Sequence, residues 1–168
     1  MQKISAILLI FALASCGQII NPITTTPAAL LGAYDKINKR DTWLERAEKG
    51  DVYSQYELAN SYCCNNFEGG TDYAESFKWF CEAAKNGYSK AQVEVGKLYE
   101  HRKTFPNFEV KQDLEKAYMW YSFAAKRASS QGVRLKKYLE QELNLEQKTR
   151  VKDYINNHPD EAKNSCGR

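Results

Sequence analysis

Cys63-Cys64, Cys81, Cys166, His101 and His158 are the residues in the body of this chain best suited to chemistry. Thiols and imidazoles hold zinc, attack carbonyls or exchange disulfides, and each of these tasks needs partners at fixed spacing. That spacing is missing. The two histidines stand far apart, one ending a predicted helix and one preceding Pro159. The chain has no Cys-x-x-Cys redox pair, no Ser-x-x-Lys, no Gly-x-Ser-x-Gly, no phosphate loop and no calcium loop. Its carboxylates fall at helix starts and on solvated faces. The residues therefore predict no catalytic group, no metal, no cofactor and no small-molecule substrate. What remains is disulfide formation, which an oxidising compartment permits. Cys63 and Cys64 lie near the end of one predicted helix, and Cys81 lies well inside the next. In an antiparallel pair those positions are roughly 10–15 Å apart along the axis at about 1.5 Å per residue. A bridge needs Cα atoms within about 7 Å, so one inside that helix pair is disfavoured. Cys166, in a polar tail, can reach any of the other three, and one bridge involving it is expected.

The compartment is read from the first residues. Lys3 precedes an apolar run from Ile4 to Ala14. That run is too short for a bilayer span, which takes about 20 apolar residues, and it has the form of a cleavable signal. It ends in Leu13-Ala14-Ser15-Cys16. This motif resembles the lipobox of bacterial lipoproteins. The resemblance implies cleavage after residue 15, lipidation of Cys16 and attachment by acyl chains such as palmitate. Several such chains make release negligible, since each buried CH₂ contributes about 0.8 kcal/mol. Gly17 rather than Asp follows the cysteine, which by the same resemblance implies the outer membrane, facing the periplasm. Residues 16–29, rich in Pro and Thr, read as a tether. The net charge is +3, and about +2 once Lys3 is removed, too weak to imply a nucleic-acid partner.

The elements that must position any working residue come from repetition. Trp43, Trp79 and Trp120 are spaced by 36 and 41 residues. Trp79 leads to Ala83-Ala84 and Trp120 to Ala124-Ala125, while Trp43 leads to Ala47 alone. Gly50 and Gly87 close two of the segments, and the third has Arg127-Ala128 there. Between the tryptophans, Ser54-Gln55-Tyr56-Glu57-Leu58-Ala59 with Tyr62 aligns with Ala91-Gln92-Val93-Glu94-Val95-Gly96 with Tyr99. Both parts have helical period: Ser76, Trp79, Phe80, Ala83 and Ala84 share a face. Thr42 with Glu45, and Asp72 with Glu75, have capping-box spacing. Small residues let a neighbouring helix approach, the aromatics fill between helix pairs, and Gly ends the helix.

This pattern resembles the Sel1-like repeat, a helix-pair unit related to the tetratricopeptide repeat. The resemblance covers about residues 42–128: a second-helix half (42–50) and two full units (51–87 and 88–128). It implies an all-α fold, a short α/α superhelical solenoid of Sel1-like repeats. Residues 130–157, with Asn144 and Gln147 at capping spacing, read as a C-terminal capping helix pair. The organisation expected is signal peptide 1–15, tether 16–29, solenoid with cap 30–158 and flexible tail 159–168. The departures from the family pattern are Ala59 in place of the usual Gly, Glu75-Ser76 in place of the usual Lys-Ala that Lys116-Ala117 keeps, a turn at Asn66-Phe67-Glu68-Gly69-Gly70, and a longer loop from Arg102 to Gln112.

The family resemblance implies protein–protein adaptor work. A concave first-helix face would present Glu57, Asn60 and Ser61 from one unit, and Glu94, Lys97 and Glu100 from the next. In the long loop, Phe105 and Phe108 beside Arg102 have two readings. They tuck onto their own helices, or they anchor an interface, as aromatics and Arg do at hot spots. The second is taken here because a basic, Pro-containing insertion is an odd place to build core. The function expected is a non-catalytic, lipid-anchored periplasmic binding module. Its sharpest form is an immunity protein that neutralises a secreted toxin effector, such as a membrane-active phospholipase. The rival readings are a β-lactamase-like or other envelope hydrolase, against which the missing motifs stand, and a structural lipoprotein that organises the envelope.

Overall fold

The computed structural model describes residues 39–64, 71–106, 108–158 and 166. The expectations for residues 1–15 and 16–29, Cys16 among them, and for most of the tail lie outside these residues. Helix α1 runs through 39–48. It is followed by α2 (Val52–Cys63), α3 (Tyr73–Lys85), α4 (Ser89–Glu100), β1 (Lys103–Phe105), β2 (Phe108–Val110), α5 (Leu114–Lys126), α6 (Ser130–Glu142) and α7 (Leu145–Asn157). From α2 to α6 each helix packs on the next, and α7 returns to pack on α5. The fold is the expected α-helical repeat stack with a capping pair. No described helix is long and apolar enough to cross a membrane.

Helix starts follow from short polar side chains. Asp51, Asp72, Asp113, Ser129 and Asn144 each accept a first-turn backbone N–H, which satisfies donors the helix leaves open. The Asn144–Gln147 capping box is complete. The box expected at Asp72 is only half made. The Glu75 carboxylate accepts instead from Lys78 and from Trp79 Nε1 at 3.1 Å. Thr42 does not open a helix, because the chain is already helical at residue 39.

Three second-helix ends close in the same way. The N–H groups of Gly50, Gly87 and Ala128 donate to the carbonyls of Ala47, Ala84 and Ala125, and the next N–H in each case reaches back one residue further. This is the Schellman arrangement, which puts its closing residue in the left-handed region. Gly50 and Gly87 sit there at φ 90° and 85°, and Ala128 sits there at 59° without a glycine's freedom. The closures also correct the repeat register. Ala47 corresponds to Ala84, so Trp43 aligns with Phe80 and Tyr121 rather than with Trp79.

Two further bonds recur. Gln55 Nε2 donates to the Ala47 carbonyl and Gln92 Nε2 to the Ala84 carbonyl, each at 3.1 Å, tying α2 to α1 and α4 to α3. Within a unit, the N–H of Asp72 meets the carbonyl of Tyr62 and that of Asp113 meets Tyr99, each at 2.9 Å. The connections of different length after Tyr62 and Tyr99 therefore leave from, and return to, equivalent points.

The shared face of α3 is buried as expected, with Ser76, Trp79, Phe80, Ala83 and Ala84 all inside. Trp120, Tyr118 and Tyr121 are the largest fully buried side chains. Gly96 explains one departure between the units. A Cβ there would lie 2.4 Å from the Tyr121 ring, whereas the equivalent Ala59 is accommodated with no exposure.

Candidate partner-binding site

The long connection after α4 is a β-hairpin, not an irregular loop. Lys103 pairs with Val110, Thr104 with Glu109 and Phe105 with Phe108. Arg102 enters it at φ 34°, and its guanidinium holds Glu109 at 3.3 Å. Gln112 Nε2, at the exit, donates to the Glu100 carbonyl at 2.9 Å. Alternation in β2 leaves Glu109 outside and buries Val110.

The hairpin lies on α3 through its rings. Phe105 stacks on Tyr73 with centroids 3.7 Å apart, and Phe108 lies 6.4 Å from Phe105 and 5.4 Å from Phe77. Phe77 meets Tyr99 edge-on at 6.1 Å. Five rings thus run without a break from the start of α3 to the end of α4. Lys116 Nζ sits 5.0 Å above Tyr99. Burial, and then the negative charge of Asp113, push the Tyr99 phenol up to about 12. Phe105 and Phe108 are both half-buried and rest on their own chain.

Between this hairpin and the first helices is a cleft of about 310 Å³. One wall is Asn60 with Cys63 and Cys64 from α2 and its end. Another is Glu94 and Leu98 from α4. Phe77 and Phe80 line it from α3, and Lys103, Phe105 and Phe108 close it. Of the partner-binding residues expected from sequence, Asn60, Glu94, Phe105 and Phe108 therefore meet at one place. Lys97 stands at its side, paired with Glu94 at 2.8 Å. Arg102 is committed to Glu109 on the hairpin. Glu57 is half-buried and lies nearer Tyr88, whose phenol is raised by burial first and then by Tyr53 and Glu57.

Two positions read as outward are not. Ser61 is buried, donates to the Leu58 carbonyl and receives Arg40 of α1 at 3.2 Å. Glu100 is buried and accepts from the Tyr121 hydroxyl at 2.5 Å. Each lies on the side of its helix that meets a neighbouring helix, which the spacing of one helix alone does not reveal.

The cysteines form two bridges. Cys81 joins Cys166 with Cα atoms 6.0 Å apart, the kind of bridge expected for the tail. Cys63 joins its neighbour Cys64, a pairing that the helix-to-helix distance argument left aside. The adjacent cysteines were the signal for it. Among the described residues no group of three or more His, Cys, Asp or Glu is placed to hold a metal ion. The cleft offers contact chemistry: aromatic faces, one amide and a carboxylate–ammonium pair.

Stacked helix pairs closed by the same turn, with an apolar cleft on the first-helix side, define an α/α repeat solenoid. Its two full units are similar to the Sel1 repeat, whose model matches residues 52–88 and 89–129. Repeats of that kind are modules of protein–protein interaction. No curated protein matches the chain.

Proposed function

We propose that this protein is a non-catalytic binding module that takes a segment of a protein partner into the cleft bounded by α2, α3, α4 and the hairpin. The observation that carries this reading is the convergence of Asn60, Glu94, Phe105 and Phe108 on one cleft from three separate elements. A volume of about 310 Å³ with an aromatic wall takes one or two apolar side chains. The Glu94–Lys97 pair and Asn60 at the rim set their orientation. The partner's anchor is an aliphatic or aromatic residue flanked by polar ones, as at interface hot spots.

In the finer form of this proposal the module is a lipoprotein held through Cys16 to the periplasmic face of the outer membrane. There it acts as an immunity protein against a secreted toxin effector. The Leu13-Ala14-Ser15-Cys16 motif and the oxidised cysteine pairs support the compartment.

The binding test is capture from envelope extracts with the wild-type chain and with the rim variant Asn60→Arg/Glu94→Arg. A protein retained by the first and lost by the second, with the variant still folded, is the expected result. Equal retention by both places binding elsewhere. Hydrolysis of a β-lactam or envelope substrate by the purified chain would overturn the non-catalytic reading. For the anchor, Cys16→Ser is expected to leave the signal uncleaved or the protein mislocalised. For the immunity role, co-expression is expected to rescue cells from the captured partner when that partner is delivered to the periplasm.

A further inference from the structure

A second cleft, of about 580 Å³, opens where α6 and α7 both pack on α5. Its rim carries Lys126 from the end of α5, Lys136 and Lys137 from α6, and Lys152 from α7. Glu140 is the one carboxylate among its lining residues, and that carboxylate is already engaged. Its Oε1 accepts from Lys136 Nζ at 2.8 Å and from the Tyr118 hydroxyl at 2.9 Å. Lys126, Lys137 and Lys152 have no carboxylate within ion-pair distance among the described residues. Another surface of α5 and α7 is different. There Arg150 is clamped between Glu115 at 2.7 Å and Glu146 at 2.5 Å, and Asp113 and Asp153 line the adjoining surface. The cationic excess is therefore gathered on one side, around a floor that includes Val133 and Ile155. Val133, one of the cleft's lining residues, is 53% exposed.

We propose that this cleft in the C-terminal cap is a docking site for an acidic, amphipathic segment of a protein partner, separate from the cleft of the first helices. Three ammonium groups without an ion pair, of which Lys152 also acts at longer range on Glu140, surround an apolar floor and complement a chain that alternates carboxylates with a large apolar side chain. Carboxylates on the rim steer and orient such a segment, and the apolar residue covers Val133. A flat anionic membrane surface complements the same charges less well, because it reaches the lysine tips and leaves the recessed floor uncovered. Lys126 also stands in the last turn of α5, where it complements the helix's own negative end, so its charge is held at the rim.

The test uses the full chain and a fluorescent 14-residue peptide with Leu at every fourth position and Glu or Asp between. Anisotropy titration is expected to show binding that weakens with added salt. Lys137→Glu/Lys152→Glu should raise Kd at least about tenfold, as charge reversal at a steering rim does. Lys90→Glu, at an exposed position outside the cleft, should leave Kd unchanged. If the double variant does not fold, Lys137→Gln, at an exposed position, is expected to raise Kd by a smaller factor. Val133→Asp should abolish the peptide's preference over an all-Glu peptide. Absence of peptide binding, equal binding by the rim variants, or binding only to vesicles that contain anionic lipid overturns the proposal, and the last outcome assigns the lysines to a membrane surface instead. Loss or retention of the partner captured through the first cleft has no bearing on this result.

Discussion

Gly96 and Ala128 show opposite demands at single positions. At Gly96 the Tyr121 ring occupies the space a Cβ would need, with Cε1 only 2.4 Å away. The ring cannot swing aside, because it is fully buried and its hydroxyl donates to Glu100 at 2.5 Å. Gly96→Ala is therefore expected to destabilise the fold by about 1–3 kcal/mol, the usual range for overpacking. Ala128 is the reverse case, a side chain held at φ 59° where its two counterparts are glycines. The left-handed conformation costs a non-glycine residue roughly 1–2 kcal/mol, and glycine's extra freedom when unfolded returns about 0.5–1 of that. Ala128→Gly is expected to stabilise by up to about 1 kcal/mol. Urea midpoints of the two variants check both, and a lowered midpoint for Ala128→Gly would refute the closure register.

At the scale of elements, the hairpin and the cap each depend on a few contacts. The hairpin has two short strands and is held through Phe105 and Phe108 on α3. Two strands alone are marginal in water, so the rings supply what the backbone ladder lacks. Phe108→Ala is expected to cost about 1–3 kcal/mol, less than a fully buried Phe because the ring is half-exposed. Phe105→Ala should cost less but should release the hairpin, read as faster amide exchange at Lys103 and Val110. The cap rests partly on carboxylates. The Arg150 hydrogen bond holds Glu115 below the usual carboxylate range, and the Lys136 hydrogen bond, then that of Tyr118, does the same for Glu140. A folded value below the unfolded one means that the stabilisation is present above the unfolded pKa, ordinarily about 4.3, and is lost as pH falls through the folded value. Both groups are part-exposed, so each contributes only about 0–1 kcal/mol. Between about pH 5 and 2 the wild type should lose more thermal stability than Glu115→Gln/Glu140→Gln, and parallel curves would sink this account.

For the whole molecule, the bridge from Cys81 to Cys166 joins positions 85 residues apart. Loop-closure entropy for such a span sets an upper limit of about 4–5 kcal/mol on its stabilisation. The measured value should fall short of that limit, because the unfolded chain retains structure that the entropy argument leaves out. Cys166→Ser should lower the urea midpoint of the oxidised protein and abolish most of its response to reductant. Peptide mapping without reduction should recover a Cys81–Cys166 linked pair, and an unchanged midpoint in the variant would remove the bridge from the stability account. The charge distribution belongs to this scale too. The modest net charge of +3 conceals a cationic cleft in the cap and a balanced surface elsewhere on α5 and α7.

Helical period, small residues and capping side chains are local properties, and they determined the helix pairs, the units at 51–87 and 88–128, and the cap at 130–157. Each is written in residues within a few turns of one another, so reading along the chain recovers it. Tertiary contact decided the rest. Gln55 reaches the Ala47 carbonyl eight residues earlier, a bond across helices that the period of one helix does not show. Ser61 and Glu100 turned inward because α1 and α5 press on those sides of their helices. The insertion after α4 became a hairpin because α3 offers Tyr73 and Phe77 for its rings. The cleft is legible from sequence only as separate residues on α2, α4 and the insertion. What joins them is the distance between elements, which no spacing along one chain encodes.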